Sequence, residues 1–238
     1  MRRAVIGVAL VCLVCISLLV GAQDAVEWYN RGLEAYNAQD YERAIECYTK
    51  VIELDPGDSY AYCGRGWSNG ELGRYDEAVG DFTKAVELDP EASYAYFDRG
   101  GAYSELGRYD EAIGDFTKVI ELDPWYAHAY CYRGWVYGEL GRYDEAISDF
   151  TTAIELEPWD SYPYRDRGRV YSELGRYDEA INDFTKAVEI NPFDSYAYLD
   201  RGWAYCDQGK IEKARADFKT ACDMGLSEAC SELEYLGE

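Results

Sequence analysis

The sequence predicts an all-α solenoid in which one helical hairpin is copied along the chain. Two residue types recur every 34 residues without a slip. Glycine holds six such positions: Gly32, Gly66, Gly100, Gly134, Gly168 and Gly202. Alanine holds six more: Ala44, Ala78, Ala112, Ala146, Ala180 and Ala214. A fixed period of this size is typical of stacked repeats, which bury their apolar faces against their neighbours.

One copy, residues 93–126, shows how each repeat is expected to fold. Its first helix, here called helix A, is predicted from Ser93 to Leu106, with Ser93 as the N-cap and Gly107 as the left-handed stop. Its second helix, helix B, is predicted from Tyr109 to Leu122. Helix B should end there because Pro124 disfavours helix in the residue before it.

The apolar residues of both helices form stripes with helical spacing. Helix B carries Tyr109, Ala112, Ile113, Phe116, Val119 and Ile120. In helix A, Tyr96, Gly100 and Tyr103 share one face. Glycine inside a helix costs about 0.5–1 kcal/mol relative to alanine. Its return in every copy therefore indicates a close contact between the two helices at this position.

These residues resemble the tetratricopeptide repeat family. The likeness rests on the small Gly100 and Ala112, large aromatic residues, the turn from Leu106 to Tyr109, and the closing Pro124. It covers Ala25 to about Met224. The resemblance implies a right-handed α-solenoid of six antiparallel helix pairs, with helix A on the concave face. The predicted copies are residues 25–58, 59–92, 93–126, 127–160, 161–194 and 195–226.

Residues 227–238 predict a capping helix that begins at Ser227 as N-cap and covers the sixth copy. Residues 221–230 also resemble Sel1-like helical repeats, in which such cysteines pair. We therefore predict a disulfide between Cys222 and Cys230, across the turn at Gly225. The four other cysteines beyond residue 22 are expected to be free thiols packed as small apolar groups, although their pairing stays open: Cys47, Cys63, Cys131 and Cys206.

The first 22 residues have the layout of a secretory signal. Arg2 and Arg3 give a positive start, an apolar stretch follows, and small residues precede a predicted cleavage after Ala22. The alternative is an uncleaved membrane anchor, because an apolar run of this length nearly spans a bilayer. Either reading predicts an extracytoplasmic protein, which is secreted, periplasmic or at the cell surface.

The chain is strongly acidic, with 46 Asp and Glu against 23 Lys and Arg. Cleavage would remove two arginines and leave a net charge of −25. Such a field disfavours nucleic acid and favours basic partners. The sequence has one histidine, His128, and no zinc, calcium or phosphate-loop spacing. We therefore predict no catalytic residues, no cofactor and no metal.

Symmetry between copies breaks on the second face of helix A, here called the helix-A face. Aromatic residues outside the repeat core can form a ligand surface there. The candidate ligand-binding residues are Tyr60, Trp67, Glu71, Tyr94, Phe97, Glu105, Trp135, Glu139, Arg165, Arg169, Glu173 and Trp203. Trp67, Trp135 and Trp203 are expected to be partly exposed. The alternative is that these rings pack against the neighbouring copy's helix A.

The predicted function is a non-catalytic scaffold that binds a protein or peptide on this face. The family's clamp for acidic C-terminal tails needs Lys and Asn, and it is not expected here. Arg165 and Arg169 could converge on one carboxylate, or Arg165 could pair locally with Asp166 or carboxylates beside Glu173. A structural or envelope-assembly protein that self-associates or binds glycans is the alternative function, and a hydrolase is the third.

Overall fold

The computed structural model describes residues 23–237, and these residues form helices joined by short turns without any strand. The predicted signal segment, residues 1–22, lies outside this described range, and so do Cys12 and Cys15. The all-α prediction is confirmed. None of the helices in residues 23–237 is both long enough and apolar enough to cross a membrane.

The chain divides into two units, one ending at Leu122 and the other beginning at Asp123. In the first unit, α1 covers residues 23–37, and the remaining helices are α2 (Tyr41–Leu54), α3 (Ser59–Glu71), α4 (Tyr75–Leu88), α5 (Ser93–Glu105) and α6 (Tyr109–Leu122). The second unit contains α7 (Ala127–Glu139), α8 (Tyr143–Leu156), α9 (Tyr162–Glu173), α10 (Tyr177–Ile190), α11 (Ser195–Asp207), α12 (Ile211–Asp223) and α13 (Ser227–Tyr235).

Within each unit the helices pack in chain order, so odd-numbered helices up to α11 are helix A and even-numbered ones are helix B. Each pair inside a copy is in contact, as α3 is with α4 and α9 is with α10. Each helix B also contacts the next helix A in its unit, as α8 does α9. This layering is the stacking that a solenoid requires.

The turn between the two helices of a copy is built as predicted, but the N-cap of α5 is not. Gly107 has a φ of +69°, which confirms the left-handed stop. Ser93, the predicted N-cap, is instead the first helical residue, and Ala92 precedes it without a side-chain cap. The helix begins earlier because the Ala92 carbonyl already accepts from the Ala95 amide at 3.0 Å. Aspartates cap two other A helices, α3 and α11.

The repeated glycine of helix A makes room for an aromatic ring of helix B. A Cβ added to Gly100 would lie 2.9 Å from Cε1 of Phe116, and one added to Gly168 would lie 2.8 Å from Cε1 of Phe184. Phe116 and Phe184 are buried in the core. The close contact inferred from the sequence is therefore a contact between the backbone of helix A and a ring.

The C-terminal helix α13 packs against the last repeat. Leu226, Leu233 and Leu236 surround the buried Phe218 cluster. Arg215 Nη2 also donates to the Leu236 carbonyl at 2.6 Å. Ser227 is not the N-cap that the sequence predicted, because it is the first helical residue and Leu226 takes that place without a side-chain bond.

Candidate functional site

Arginines on helix A fix the position of that helix against helix B on both sides. Each pairs with an aspartate 16 residues later in its own copy: Arg65 with Asp81, Arg99 with Asp115, Arg133 with Asp149, Arg167 with Asp183 and Arg201 with Asp217. Arg65, Arg99, Arg167 and Arg201 also donate to a threonine of the preceding helix B, at Thr49, Thr83, Thr151 and Thr185. These contacts hold helix A against helix B on one side, and the helix-A face lies on the other side of the helix.

In the second unit, α7, α8 and α9 form a cleft of about 230 Å³. Its lining includes Trp135, Glu139, Arg169 and Glu173, four of the twelve residues predicted for ligand binding. Asp166 joins them, and Tyr143, Phe150, Val170 and Gly138 complete the lining. Trp135 is 36% exposed, so part of its surface remains open to a ligand. The cleft therefore offers an aromatic surface, three carboxylates and one guanidinium.

The two arginines predicted to act together are in different situations. Arg165 Nη1 lies 3.0 Å from Oδ2 of Asp194, and its Nε lies 3.7 Å from Oδ1 of Asp166. The structure thus shows the local-pairing alternative for Arg165, with Asp194 as the nearer partner. Arg169 is exposed and has no ion-pair partner within 4.0 Å among residues 23–237. Of these two arginines, Arg169 is the one available to a carboxylate ligand.

Half-buried aspartates lie beside these arginines. Burial raises the pKa of Asp166, while Arg165 and Arg169 oppose the shift. Burial also raises the pKa of Asp200 to about 6, and the same two guanidinium groups again oppose it. Asp166, Asp200 and Asp98 occupy the same place in three copies. Their spacings of 68 and 34 residues are multiples of the repeat, but acidic residues are so frequent in this chain that the set did not stand out.

In the first unit, most candidate rings contact other residues of the protein. Trp67 Nε1 donates to Asp98 Oδ2 at 2.6 Å, and Phe97 packs edge-on against Phe116 with ring centroids 5.6 Å apart. Tyr60 and Tyr94 stack at 5.6 Å. The contacts of Trp67 and Tyr60 match the alternative that these rings pack against the neighbouring copy's helix A. Phe97 instead packs against helix B of its own copy. Glu71 and Glu105 are exposed, whereas Trp203 of the second unit is half-buried against the Phe218 cluster.

A disulfide joins Cys222 of α12 to Cys230 of α13. Cys47, Cys63, Cys131 and Cys206 are free thiols. Cys47 and Cys63 are fully buried. Burial raises the pKa of Cys63 and of Cys131 to about 12, so both remain protonated and weakly nucleophilic at neutral pH.

Within residues 23–237, no three His, Cys, Asp or Glu side chains are placed to hold a metal ion together. His128 is exposed and stacks on Tyr126, with ring centroids 5.7 Å apart.

The chain is similar to several solved structures and to a short segment of one known protein. Among solved structures, a crystal structure of MamA protein matches with a TM-score of 0.66 and 27% identity, over 74% of this chain and 96% of that one. YrrB, described as a TPR protein with an unusual peptide-binding site, matches with a TM-score of 0.60 and 26% identity, over 76% and 93%. The Protein STIP1 homolog of Dictyostelium discoideum is 41% identical over 44 residues, which is 18% of this chain and only 8% of that protein.

Sequence profiles of one family match along most of the repeats. Profiles described as tetratricopeptide repeat match residues 25–58 and 127–160, residues 64–127 and 165–228, and residues 47–80. The profile that matches residues 64–127 and 165–228 alone covers more than half of the chain. With the paired helices and the matching solved structures, this shows that the chain belongs to the tetratricopeptide repeat family, whose fold serves protein binding.

Proposed function

We propose that the chain is a non-catalytic scaffold that binds a peptide segment of a partner protein on the helix-A face of its second unit. The cleft beside Trp135 carries this proposal. Its lining joins a partly exposed ring to charges of both signs, a combination that orients a peptide while burying an apolar side chain. The description of YrrB as having a peptide-binding site supports the same kind of ligand.

In this proposal each group of the cleft has a role. The Trp135 ring receives an aromatic or aliphatic side chain of the ligand. Glu139 and Glu173 receive a basic side chain, and Arg169 receives a carboxylate through its planar guanidinium. Arg165 is left out of the proposed site because Asp194 already pairs with it.

The test is affinity for peptides selected from a random displayed library against the chain from residue 23 onward. Trp135→Ala and Arg169→Ala should each weaken binding by roughly tenfold or more, because buried aromatic and arginine contacts dominate interface energies. The thermal midpoint should stay nearly unchanged. Lys186→Ala is the control, since Lys186 forms an exposed ion pair with Glu189 on α10, a helix that contributes no residue to the cleft lining.

Two outcomes would count against this function. Full affinity in both cleft variants would place the site elsewhere. Binding on a glycan array with no peptide selected would favour the glycan-binding alternative.

We also propose that the protein acts outside the cytoplasm, on the basis of the signal-like residues 1–22. Mass spectrometry of the exported protein should find Gln23 at its N-terminus. A mature protein that retains Arg2 and Arg3 would support the uncleaved anchor instead.

A further inference from the structure

Large aromatic side chains lie exposed at the turns that lead into the A helices of the second unit. Trp125, Trp159 and Phe193 each directly follow the proline of such a turn, and they are 78%, 70% and 86% exposed. Tyr162 and Tyr196 follow three residues later and are 57% and 55% exposed. These five residues are called the aromatic edge below.

The fold does not need the rings of the aromatic edge. In the first unit, Gly57 and Glu91 hold the same turn position as Trp125 and Phe193. At all four positions the backbone amide donates to the side-chain oxygen of the residue two positions earlier, at 2.9, 3.1, 3.1 and 3.2 Å respectively. The turn is therefore stabilised by a backbone hydrogen bond, which forms whether the residue is glycine, glutamate or an aromatic residue.

The recurrence of these rings separates them from ordinary surface residues. Single exposed apolar side chains are common on folded proteins. Here three successive turns of one unit carry an exposed ring at one register position, so the rings line the same end of consecutive copies. Exposed clusters of this kind mark interaction surfaces, in which Trp, Tyr and Phe are enriched.

The charges beside the rings indicate the chemistry of the partner. The turn segments 123–128, 157–162 and 191–196 contain Asp123, Glu157, Asp160 and Asp194, and no Lys or Arg. Arg165 pairs with Asp194, and its Cζ lies 5.3 Å from the centroid of the Tyr162 ring. This leaves three carboxylates and the other four rings of the aromatic edge for a ligand. The C-terminus of helix B and the N-terminus of helix A meet at each turn, so their opposite dipoles offset each other. The charged side chains therefore determine the sign of the electrostatic potential at the turn.

We propose that the aromatic edge is a second docking surface, which binds a segment of another protein rich in arginine and lysine. Ring faces attract cations, and the adjacent carboxylates add Coulomb attraction. The net charge of −23 opposes a second copy of this chain or an anionic membrane as the occupant. This surface is separate from the Trp135 cleft and does not rest on the function proposed for it.

The experiment measures binding of two synthetic peptides of equal length by isothermal titration calorimetry. One alternates arginine with glycine, and the other alternates glutamine with glycine. The key variant is the triple substitution Trp125→Glu, Trp159→Glu and Phe193→Glu. It should bind the arginine peptide roughly tenfold more weakly, although it carries three additional negative charges, because the cation–π contacts are lost.

Three controls test whether the rings themselves bind the peptide. Circular dichroism should show an intact helical protein, since Glu91 already occupies this turn position. A second variant with glycine at the three positions, as at Gly57, should lose affinity in the same way. Tyr235→Ala, which removes an exposed ring of α13 outside the aromatic edge, should bind the arginine peptide as the unmodified chain does.

Equal or tighter binding by the triple glutamate variant would show that net charge alone attracts the peptide, and would overturn the proposal. Loss of binding in Trp135→Ala but not in the triple variants would also overturn it. So would binding of the glutamine peptide, or of neutral phosphatidylcholine vesicles, as tight as that of the arginine peptide.

Discussion

The guanidinium of Arg167 holds the carboxylate of Asp183 through two parallel hydrogen bonds, Nε to Oδ2 at 2.7 Å and Nη2 to Oδ1 at 2.8 Å. Its remaining arm, Nη1, donates to Thr151 Oγ1 at 2.9 Å. One side chain of α9 thus connects the helix B of its own copy, α10, to the helix B of the preceding copy, α8. The Arg167 and Asp183 side chains are only 15% and 3% exposed.

Asp183→Ala should destabilise the second unit strongly. The substitution leaves the Arg167 guanidinium largely buried without its carboxylate, and breaking a buried pair in this way costs about 3–5 kcal/mol. The thermal midpoint followed by circular dichroism should fall clearly. Glu179→Ala is the control, because it removes an exposed ion pair with Arg176 and should cost about 0–1 kcal/mol. Similar midpoints for the two variants would contradict a structural role for the buried pair.

Gly168→Ala should destabilise the protein even though alanine is the better helix former. The new methyl group would lie 2.8 Å from Cε1 of the buried Phe184 ring. Overpacking of this kind costs about 1–3 kcal/mol, which exceeds the gain in helix propensity of about 0.5–1 kcal/mol.

Gly80→Ala should change the stability of the same chain in the opposite direction. A Cβ at Gly80 would meet nothing within 4 Å, so this variant should be slightly more stable than the unmodified protein. Denaturant unfolding of both variants measures the difference. A stable Gly168→Ala variant would show that the ring can move aside at little cost.

The Asp98 carboxyl should make stability depend on pH. Burial raises its pKa from 3.8 to about 6, and the hydrogen bond from Trp67 opposes that rise. The folded state then binds this proton more tightly than the unfolded state, so the contribution to the free energy of unfolding increases as pH falls through about 6. Asp98→Asn stays neutral and keeps an oxygen for the Trp67 N–H.

Asp98→Asn should therefore be more stable than the unmodified protein at neutral pH, and the difference should shrink as pH falls toward about 4. Thermal midpoints across this range measure it, with Asp200 unchanged in both proteins. A difference that does not change with pH would show that the Asp98 charge is not destabilising in the folded protein.

Reduction of the Cys222–Cys230 disulfide should loosen α13 without unfolding the repeats. Chain-entropy arguments give about 2–3 kcal/mol for closing so short a loop. Hydrogen exchange should become faster in residues 227–237 and stay unchanged in α9 and α10. Peptide mapping without reduction checks the bond itself, and alkylated Cys222 would contradict it.

The repeat architecture was predictable because it depends on local chemistry that recurs. Gly107 ends a helix by its own backbone freedom, and Phe116 lies on a stripe that its spacing reveals. The caps were less predictable, since Ser93 and Ser227 each start a helix one residue after the true cap. Residue types alone do not predict the first helical residue to within one position.

The candidate site was predictable only in part. Spacing placed Trp135 and Arg169 on one face, and the cleft includes both. The spacing left open whether Arg165 is available or locally paired, and in the structure Asp194, the N-cap of α11, neutralises it. Such pairing depends on distances between helices, and a period of 34 residues does not supply them. The exposure of Trp125 is likewise a property of the folded turn.

The arginine–threonine contacts between copies are not continued at the first and last copies, because other residue types stand there. Cys47 stands in the first copy where later copies place the paired aspartate, and Arg31 bonds to Glu27 instead. In the last copy, Lys219 takes the threonine position and pairs with Asp223 at 2.6 Å. An ammonium group has no lone pair with which to accept the arginine N–H that Thr49, Thr83, Thr151 and Thr185 accept. The series of arginine–threonine contacts therefore stops at Lys219.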